Sequence, residues 1–104
     1  MIGGGFIGGE IAAALTMNGK KVTMIFPGHD IGDRALPARF GSVCLRRLQG
    51  KGVELVPGEK VVASEARGDQ RMLKTASGKT IVVDAVVAGI GIEPNIELAL
   101  NRLA

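Results

Sequence analysis

The sequence contains no tryptophan and no tyrosine, and only one cysteine among its 104 residues. The single cysteine, Cys44, excludes an intrachain disulfide and a dithiol redox pair. Without tryptophan and tyrosine, the chain lacks the usual side chains on which single-stranded nucleic acids stack. No apolar run approaches the ~20 residues needed to cross a bilayer, so we predict no membrane association.

The charge of the chain is also small. Its formal net charge is +3 and its pI is about 9.4. This excess is too weak to predict nucleic-acid binding. With 46% hydrophobic and 22% charged residues, the composition is that of an ordinary globular chain. The length allows one domain, which we assign to residues 1–104.

The first half of the chain alternates glycine, helix and strand signals. Apolar residues recur at helical spacing from Phe6 to Asn18, where Asn18-Gly19 predicts a helix end. The segment KKVTMIF at 20–26 predicts a buried strand. Pro37 is placed to begin a second helix that closes at Gly50, and GVELV at 52–56 predicts another strand.

The second half predicts a different arrangement. Three short runs, VVASEA, RMLKTA and KTIVV, indicate an antiparallel meander, with Ser77-Gly78 as a hairpin turn. VDAVVAGIG at 83–91 suits a strand buried on both faces of a parallel sheet, and a short helix is expected after Asn95. The fold class is therefore α/β: a three-layer domain with a central parallel sheet and a small antiparallel β-meander.

The opening segment MIGGGFIGGE carries the pattern G-x-G-x-x-G at Gly3, Gly5 and Gly8. In dinucleotide-binding loops the three glycines permit a tight turn, a close approach of the backbone to a pyrophosphate, and close packing of helix on strand. The N–H groups that begin the helix favour a phosphate without any basic side chain. A glycine-rich turn that only reverses the chain is the alternative interpretation.

Four segments in this order, GGGFIGGEIA, VTMIFPGHDIGDRALP, GVELVPGEKV and VVAGIGIEPNIELA, resemble the NAD-binding domain of the pyridine nucleotide-disulfide oxidoreductase superfamily. They are most similar to the apoptosis-inducing factor-like branch and its bacterial relatives, the rubredoxin and ferredoxin reductases. The resemblance covers essentially the whole chain and implies a Rossmann-like fold. It also implies a domain inserted into a larger FAD-binding chain, in which NAD(P)H delivers hydride to the flavin.

The resemblance also implies which residues bind the cofactor. The predicted cofactor-binding residues are Gly3, Gly5, Phe6, Ile7, Gly8, Glu10, Phe26, Arg34, Gly91, Glu93 and Pro94. Glu10 matches a family glutamate facing the nicotinamide and the FAD domain, with a first-turn carboxylate that merely favours the helix dipole as the alternative. Gly91, Glu93 and Pro94 match a G-x-x-P-N segment, which could equally be a simple exit from a strand into a helix cap. No catalytic residue and no metal ligand is predicted.

The segment after the second strand departs from the family pattern. NAD-specific folds place an acidic residue there, about 20 residues beyond the loop, to bind the adenosine ribose. Phe26 stands at this point, and Gly28 replaces the acid that follows the Phe-Pro pair in apoptosis-inducing factor-like sequences. Asp30 or Asp33 could substitute for it, whereas His29 and Arg34 could meet a 2′-phosphate. We expect NAD(H) in preference to NADP(H).

The expected function is an NAD(P)H-binding module that positions nicotinamide for hydride transfer to FAD held in another domain. The parent protein would be the enzyme, and the segment alone would bind without turnover. The expected partners are the FAD-binding domain and an electron acceptor that the sequence does not identify. A stand-alone dinucleotide sensor or partner-docking domain is the alternative. The resemblance favours a bacterial cytoplasm, or a mitochondrion for a eukaryotic source.

Only Met1 and Ile2 precede the glycine loop, where a complete strand normally stands. We therefore expect a fragment of a larger chain, whose central strand is very short or is completed by another molecule. An open sheet edge of this kind also predicts self-association.

Overall fold

The computed structural model describes residues 1–29 and 38–99. Its elements in chain order are α1 (Phe6–Met17), β1 (Thr23–Phe26), α2 (Ala38–Gly50), β2 (Glu54–Pro57), β3 (Val61–Arg67), β4 (Gln70–Thr75) and β5 (Thr80–Val83). Strands β1 and β2 are parallel, and β3, β4 and β5 form an antiparallel sheet in sequence order. The predicted α/β fold with a parallel sheet and a small antiparallel meander is confirmed.

The parallel sheet extends beyond β1 through very short pairings of residues 1–3. Ile2 forms isolated parallel bridges to Ile25 in β1 on one side and to Ala88 on the other. The Ile25 N–H donates to the Met1 carbonyl, and the Gly3 N–H donates to the Ile25 carbonyl, both at 2.9 Å. Residues 1–3 thus lie between β1 and the segment 87–89, as expected for a very short central strand.

The core lies between this sheet and the two helices. Its buried cluster consists of Ala12, Val22, Met24, Phe26, Leu48 and Val53. Helix α1 buries Gly8 and Ala12, which are four residues apart and small, so the helix can lie close to the sheet. Cys44 is partly buried against this cluster as a free thiol.

Most element boundaries agree with the sequence patterns. Helix α1 ends one residue before the predicted Asn18, whose side-chain amide donates to the Ala14 carbonyl (2.8 Å) as the helix closes. The predicted hairpin turn at Ser77-Gly78 joins β4 to β5, with Gly78 at φ +92°. Helix α2 begins at Ala38, and the predicted start at Pro37 lies outside the described residues.

The prediction for residues 83–91 is wrong. Val83 ends β5 and pairs with Arg71 in the antiparallel sheet, and beyond it only Ala88 pairs, through an isolated parallel bridge to Ile2. Val87 is 37% exposed and Ile90 is 79% exposed, so the run is not buried on both faces. A parallel strand needs a neighbour along its length, and residues 1–3 supply a partner for only about three residues.

The short helix expected after Asn95 is replaced by a turn over 97–99 in the described part, and residues 100–104 lie outside it. At this turn the Ala99 N–H donates to the Ile96 carbonyl at 2.9 Å. Among the residues that the structure describes, neither helix is long and apolar enough to cross a membrane.

Candidate functional site

The glycine loop connects the short segment 1–3 to helix α1, and its first glycine is enclosed by backbone. Gly3 is buried at φ +120°, a conformation that residues with a side chain rarely adopt. A Cβ atom at this position would overlap the carbonyl oxygen of Gly89. Gly3 is therefore required both for the turn and for the contact between two neighbouring segments of the sheet.

Gly8 lies in the first turn of α1 and is buried against the loop itself. A Cβ atom there would overlap the Gly3 carbonyl oxygen and would lie 3.4 Å from the terminal methyl of Met24. The absence of a side chain lets α1 pack directly on the end of the central segment. This is the packing role that the sequence pattern assigns to the third glycine.

Gly5 has the opposite environment. It is exposed, and no heavy atom lies within 4 Å of the place where a Cβ would stand. Gly5 is also the N-cap of α1, where no side chain accepts a hydrogen bond from the helix, and the first turn contains no acidic residue. The open face of the loop therefore borders helix N–H groups that lack a side-chain cap, a local environment suited to a phosphate oxygen.

Three further predicted residues lie at the start of the same helix. Phe6 and Ile7 are large apolar side chains that are 56% and 48% exposed. Glu10 is exposed in the second turn of α1. Because the helix begins at Phe6, the alternative of a first-turn carboxylate at Glu10 is wrong, and its proposed role toward nicotinamide stays a prediction.

The side chain of Phe26 does not face the loop surface. It is 2% exposed and belongs to the core, and a Cβ at Gly4 would lie 2.8 Å from its Cβ and Cγ atoms. A direct side-chain contact with a cofactor is therefore not supported, and Phe26 instead packs beneath the loop. The G-x-G-x-x-G motif assigns no role to Gly4. The run of three consecutive glycines was the sequence signal that could have indicated its close contact with Phe26.

The described residues that follow β1, Pro27 to His29, include no acidic residue. The carbonyls of Phe26 and Gly28 accept hydrogen bonds from the N–H groups of Glu59 (3.0 Å) and Gly58 (2.9 Å). Arg34, together with the alternatives Asp30 and Asp33, lies outside the described residues.

The segment 87–89, which pairs with Ile2, approaches the glycine loop at Gly89. A Cβ at Gly89 would lie 3.0 Å from the Met1 methyl and 3.4 Å from Cγ2 of Ile7. Two residues on, Gly91 is exposed at φ +144°, and Glu93 and Pro94 are exposed as well. The structure thus places Gly89 at the loop, whereas the assignments of Gly91, Glu93 and Pro94 stay predictions.

One buried acidic residue was missed by sequence reasoning. Glu59 is only 8% exposed and accepts a hydrogen bond from the Ser77 hydroxyl. The pKa of Glu59 is lowered by hydrogen bonds from the hydroxyls of Ser77 and Thr75, and to a smaller extent by the positive charge of Lys79. No local pattern indicates this contact, because its two partners are 18 residues apart.

No metal centre accompanies these groups in the described ranges 1–29 and 38–99. There, no three His, Cys, Asp or Glu side chains gather closely enough to hold a metal ion. The candidate site is therefore the open side of the glycine loop, bounded by Gly5, Phe6 and Ile7.

Comparison with known proteins places the whole chain in one sequence family. The family model described as pyridine nucleotide-disulphide oxidoreductase matches residues 1–104. The chain is 38% identical over 101 residues to the ferredoxin–NAD(+) reductase component of the anthranilate 1,2-dioxygenase system of Burkholderia cepacia, covering 95% of this chain and 24% of that protein. It is 32% identical over 105 residues to monodehydroascorbate reductase 3 of Arabidopsis thaliana, covering 99% and 24%.

Solved structures give the same result. A ferredoxin reductase from Rhodopseudomonas palustris superposes with a TM-score of 0.86 at 31% identity, covering 96% of this chain and 25% of that chain. The water-forming NADH oxidase from Lactobacillus brevis, bound to NADH, superposes with a TM-score of 0.84 at 29% identity, covering 97% and 22%. The chain thus spans about a quarter of the length of the relatives that it matches.

Proposed function

The chain belongs to the pyridine nucleotide-disulphide oxidoreductase family, and from this membership we propose that it is the NAD(P)H-binding module of an FAD-dependent oxidoreductase. The module would hold nicotinamide in position for hydride transfer to a flavin carried by another domain. In such enzymes the cofactors supply the redox chemistry, while the protein supplies binding, orientation and electrostatics. No acid, base or nucleophile is needed from this segment.

The observation that carries the proposal is the unequal environment of the three loop glycines. At Gly3 and Gly8, backbone atoms occupy the space that a side chain would take, whereas the corresponding space at Gly5 is open. A loop that only reversed the chain would have no reason to keep its middle glycine both open and beside an uncapped helix start. A pyrophosphate approaching Gly5 would accept hydrogen bonds from these N–H groups, which is the chemistry that the fold class uses.

The exposed apolar side chains around the loop favour a second domain packed against the nicotinamide end of the site. Phe6 and Ile7 lie at the start of α1, and Ile90 follows Gly89, which contacts the same loop. Large exposed apolar residues in a group mark surfaces that another molecule or domain covers. In the proposed parent enzyme this surface would meet the FAD-binding domain.

We propose NADH as the preferred donor. The Burkholderia relative is a ferredoxin–NAD(+) reductase component, and the Lactobacillus oxidase was solved with NADH. An engineered form of that oxidase, solved with NADPH, superposes equally well with a TM-score of 0.84, so the shared fold accommodates either nucleotide. The reductase relatives further suggest a redox protein such as a ferredoxin as the electron acceptor of the parent enzyme.

Isothermal titration of the purified chain with NADH and NADPH tests the proposal. We expect saturable binding of both nucleotides, with the lower Kd for NADH, and no NADH oxidation by the chain alone. Circular dichroism on the same sample establishes that the protein is folded. A folded chain that binds neither nucleotide would contradict the proposed function.

A further inference from the structure

The buried carboxylate of Glu59 lies in the connection between β2 and β3, which joins the parallel sheet to the meander. One carboxylate oxygen, Oε1, accepts the Ser77 hydroxyl, and the other, Oε2, is buried with no hydrogen-bond partner in the described part of the chain. Burying a carboxylate costs free energy unless its hydrogen bonds compensate. The burial of Glu59 therefore indicates a role other than that of a solvent-exposed charged residue.

On the meander side, Glu59 is tied to the turn between β4 and β5. The Ser77 hydroxyl oxygen is 3.3 Å from Oγ1 of Thr75. The Thr75 Oγ1 in turn accepts a hydrogen bond from the Lys79 N–H at 3.1 Å. The Ala76 N–H also donates to the carbonyl of Lys60, the residue after Glu59, at 2.9 Å. These bonds hold the turn directly on the connection.

On the other side, the same connection is bonded to the end of β1. The Glu59 N–H donates to the Phe26 carbonyl at 3.0 Å, and the Gly58 N–H donates to the Gly28 carbonyl at 2.9 Å. In dinucleotide-binding sheets the residues after this strand contact the adenosine ribose. The connection therefore touches both the hydroxyl cluster of the meander and the backbone on which adenosine would rest.

We propose that Glu59 is a positioning residue for the adenosine half of the dinucleotide, acting through its bond to Ser77 on one side and through the Phe26–Gly28 backbone on the other. This inference rests on the proposed function. The charge that faces Glu59 comes from Lys79, on the same turn as Ser77, and it favours the ionised carboxylate. Glu59 touches no ligand in this scheme, because its free oxygen is buried.

The test removes the hydroxyl that holds the carboxylate. Ser77→Ala deletes one hydroxyl at an exposed residue, and Ser64→Ala, at an exposed position in β3, is the matched control. Each variant is titrated with NADH, with ADP-ribose as the adenosine-containing half, and with nicotinamide mononucleotide as the other half. We expect Ser77→Ala to raise the Kd for NADH and ADP-ribose by the same factor, about three- to tenfold, as is typical of residues that act without touching the ligand.

The control and the conservative variant sharpen the expectation. Ser64→Ala should leave all three Kd values within about twofold of wild type, and Ser77→Thr, which keeps a hydroxyl, should restore most of the lost affinity. Amide exchange by NMR at residues 58 and 59 should be faster in Ser77→Ala, since their N–H groups donate to the end of β1. Glu59→Gln, which removes the negative charge, should also raise the Kd for ADP-ribose, as Ser77→Ala does.

The outcomes separate the two ideas. If wild type binds NADH and Ser77→Ala binds NADH and ADP-ribose with unchanged Kd, the positioning role is refuted while the proposed function stands. An equal loss of affinity for nicotinamide mononucleotide would also refute it, because the effect would then be general. If folded wild-type protein binds no nucleotide at all, the proposed function fails and the positioning role fails with it.

Discussion

Serine substitutions at two glycines of the same loop should have opposite effects. Gly8→Ser should destabilise the fold, because a Cβ there overlaps the Gly3 carbonyl oxygen and lies 3.0 Å from its carbon. These are backbone atoms, so no change of rotamer relieves the contact and α1 must shift. Gly5→Ser should instead weaken dinucleotide binding and leave the fold intact, because its Cβ would enter empty space.

The magnitudes follow from the two environments. Overpacking a well-packed site costs about 1–3 kcal/mol, and each kcal/mol lowers the Tm of a domain of this size by about 4–8 °C. At Gly5 the backbone has φ −83°, which any residue adopts, and serine is a better N-cap than glycine by a few tenths of a kcal/mol. The same ~1–3 kcal/mol of steric cost, directed at an approaching pyrophosphate, raises the Kd for NADH about 5- to 150-fold.

Thermal unfolding by circular dichroism and calorimetric titration with NADH measure both effects on the same samples, with titrations made well below the lowest Tm. We expect Gly8→Ser to lower the Tm and Gly5→Ser to keep or slightly raise it while binding NADH weakly. A wild-type Kd for Gly5→Ser would refute the assignment of the open loop face to the pyrophosphate. A wild-type Tm for Gly8→Ser would refute the packing argument.

Two further predictions concern stability. The hydroxyls of Ser77 and Thr75 lower the pKa of Glu59, so its contribution to stability is complete above the ordinary glutamate pKa of 4.5 and is lost as the pH falls through the lower folded value. Glu59→Gln should therefore flatten the acid limb of a Tm-against-pH curve, whereas an acid limb as steep as in wild type would contradict this role. Phe26→Ala, at a core residue that is 2% exposed, should cost about 3–5 kcal/mol in urea unfolding, and a loss below 1 kcal/mol would show that Phe26 is not packed as described.

Local signals account for what the sequence predicts well. The helix from Phe6 and the hairpin at Ser77-Gly78 depend on residues near one another in the chain, and both are found. The glycine pattern likewise places Gly3, Gly5 and Gly8 around one turn, in which Gly8 packs on the Gly3 backbone only five residues away.

The failures arise where structure depends on distant residues. The run at 83–91 is as apolar as a buried strand, but a strand forms only as far as its neighbour extends, and Ile2 supplies one bridge. Phe26 ends a strand beside the predicted ligand edge and its side chain packs into the core against Gly4, a tertiary contact that no local pattern indicates, so its assignment to the cofactor site stays a prediction. The Glu59 contact joins residues 18 apart, one in the β2–β3 connection and one in the β4–β5 turn, and no spacing rule predicts such a pair.

The exposure of apolar residues around an otherwise well-packed loop has a physical reason under the proposed function. Hydride transfer requires the nicotinamide to face a flavin closely and without water between them, so the nicotinamide end of the site must be closed by a second body. A module that met this requirement would bury the glycines on which its own backbone packs and leave apolar side chains exposed at that end. Gly3 and Gly8 are buried while Phe6, Ile7 and Ile90 are exposed, which is the division expected if packing secures the phosphate end and a second domain completes the other.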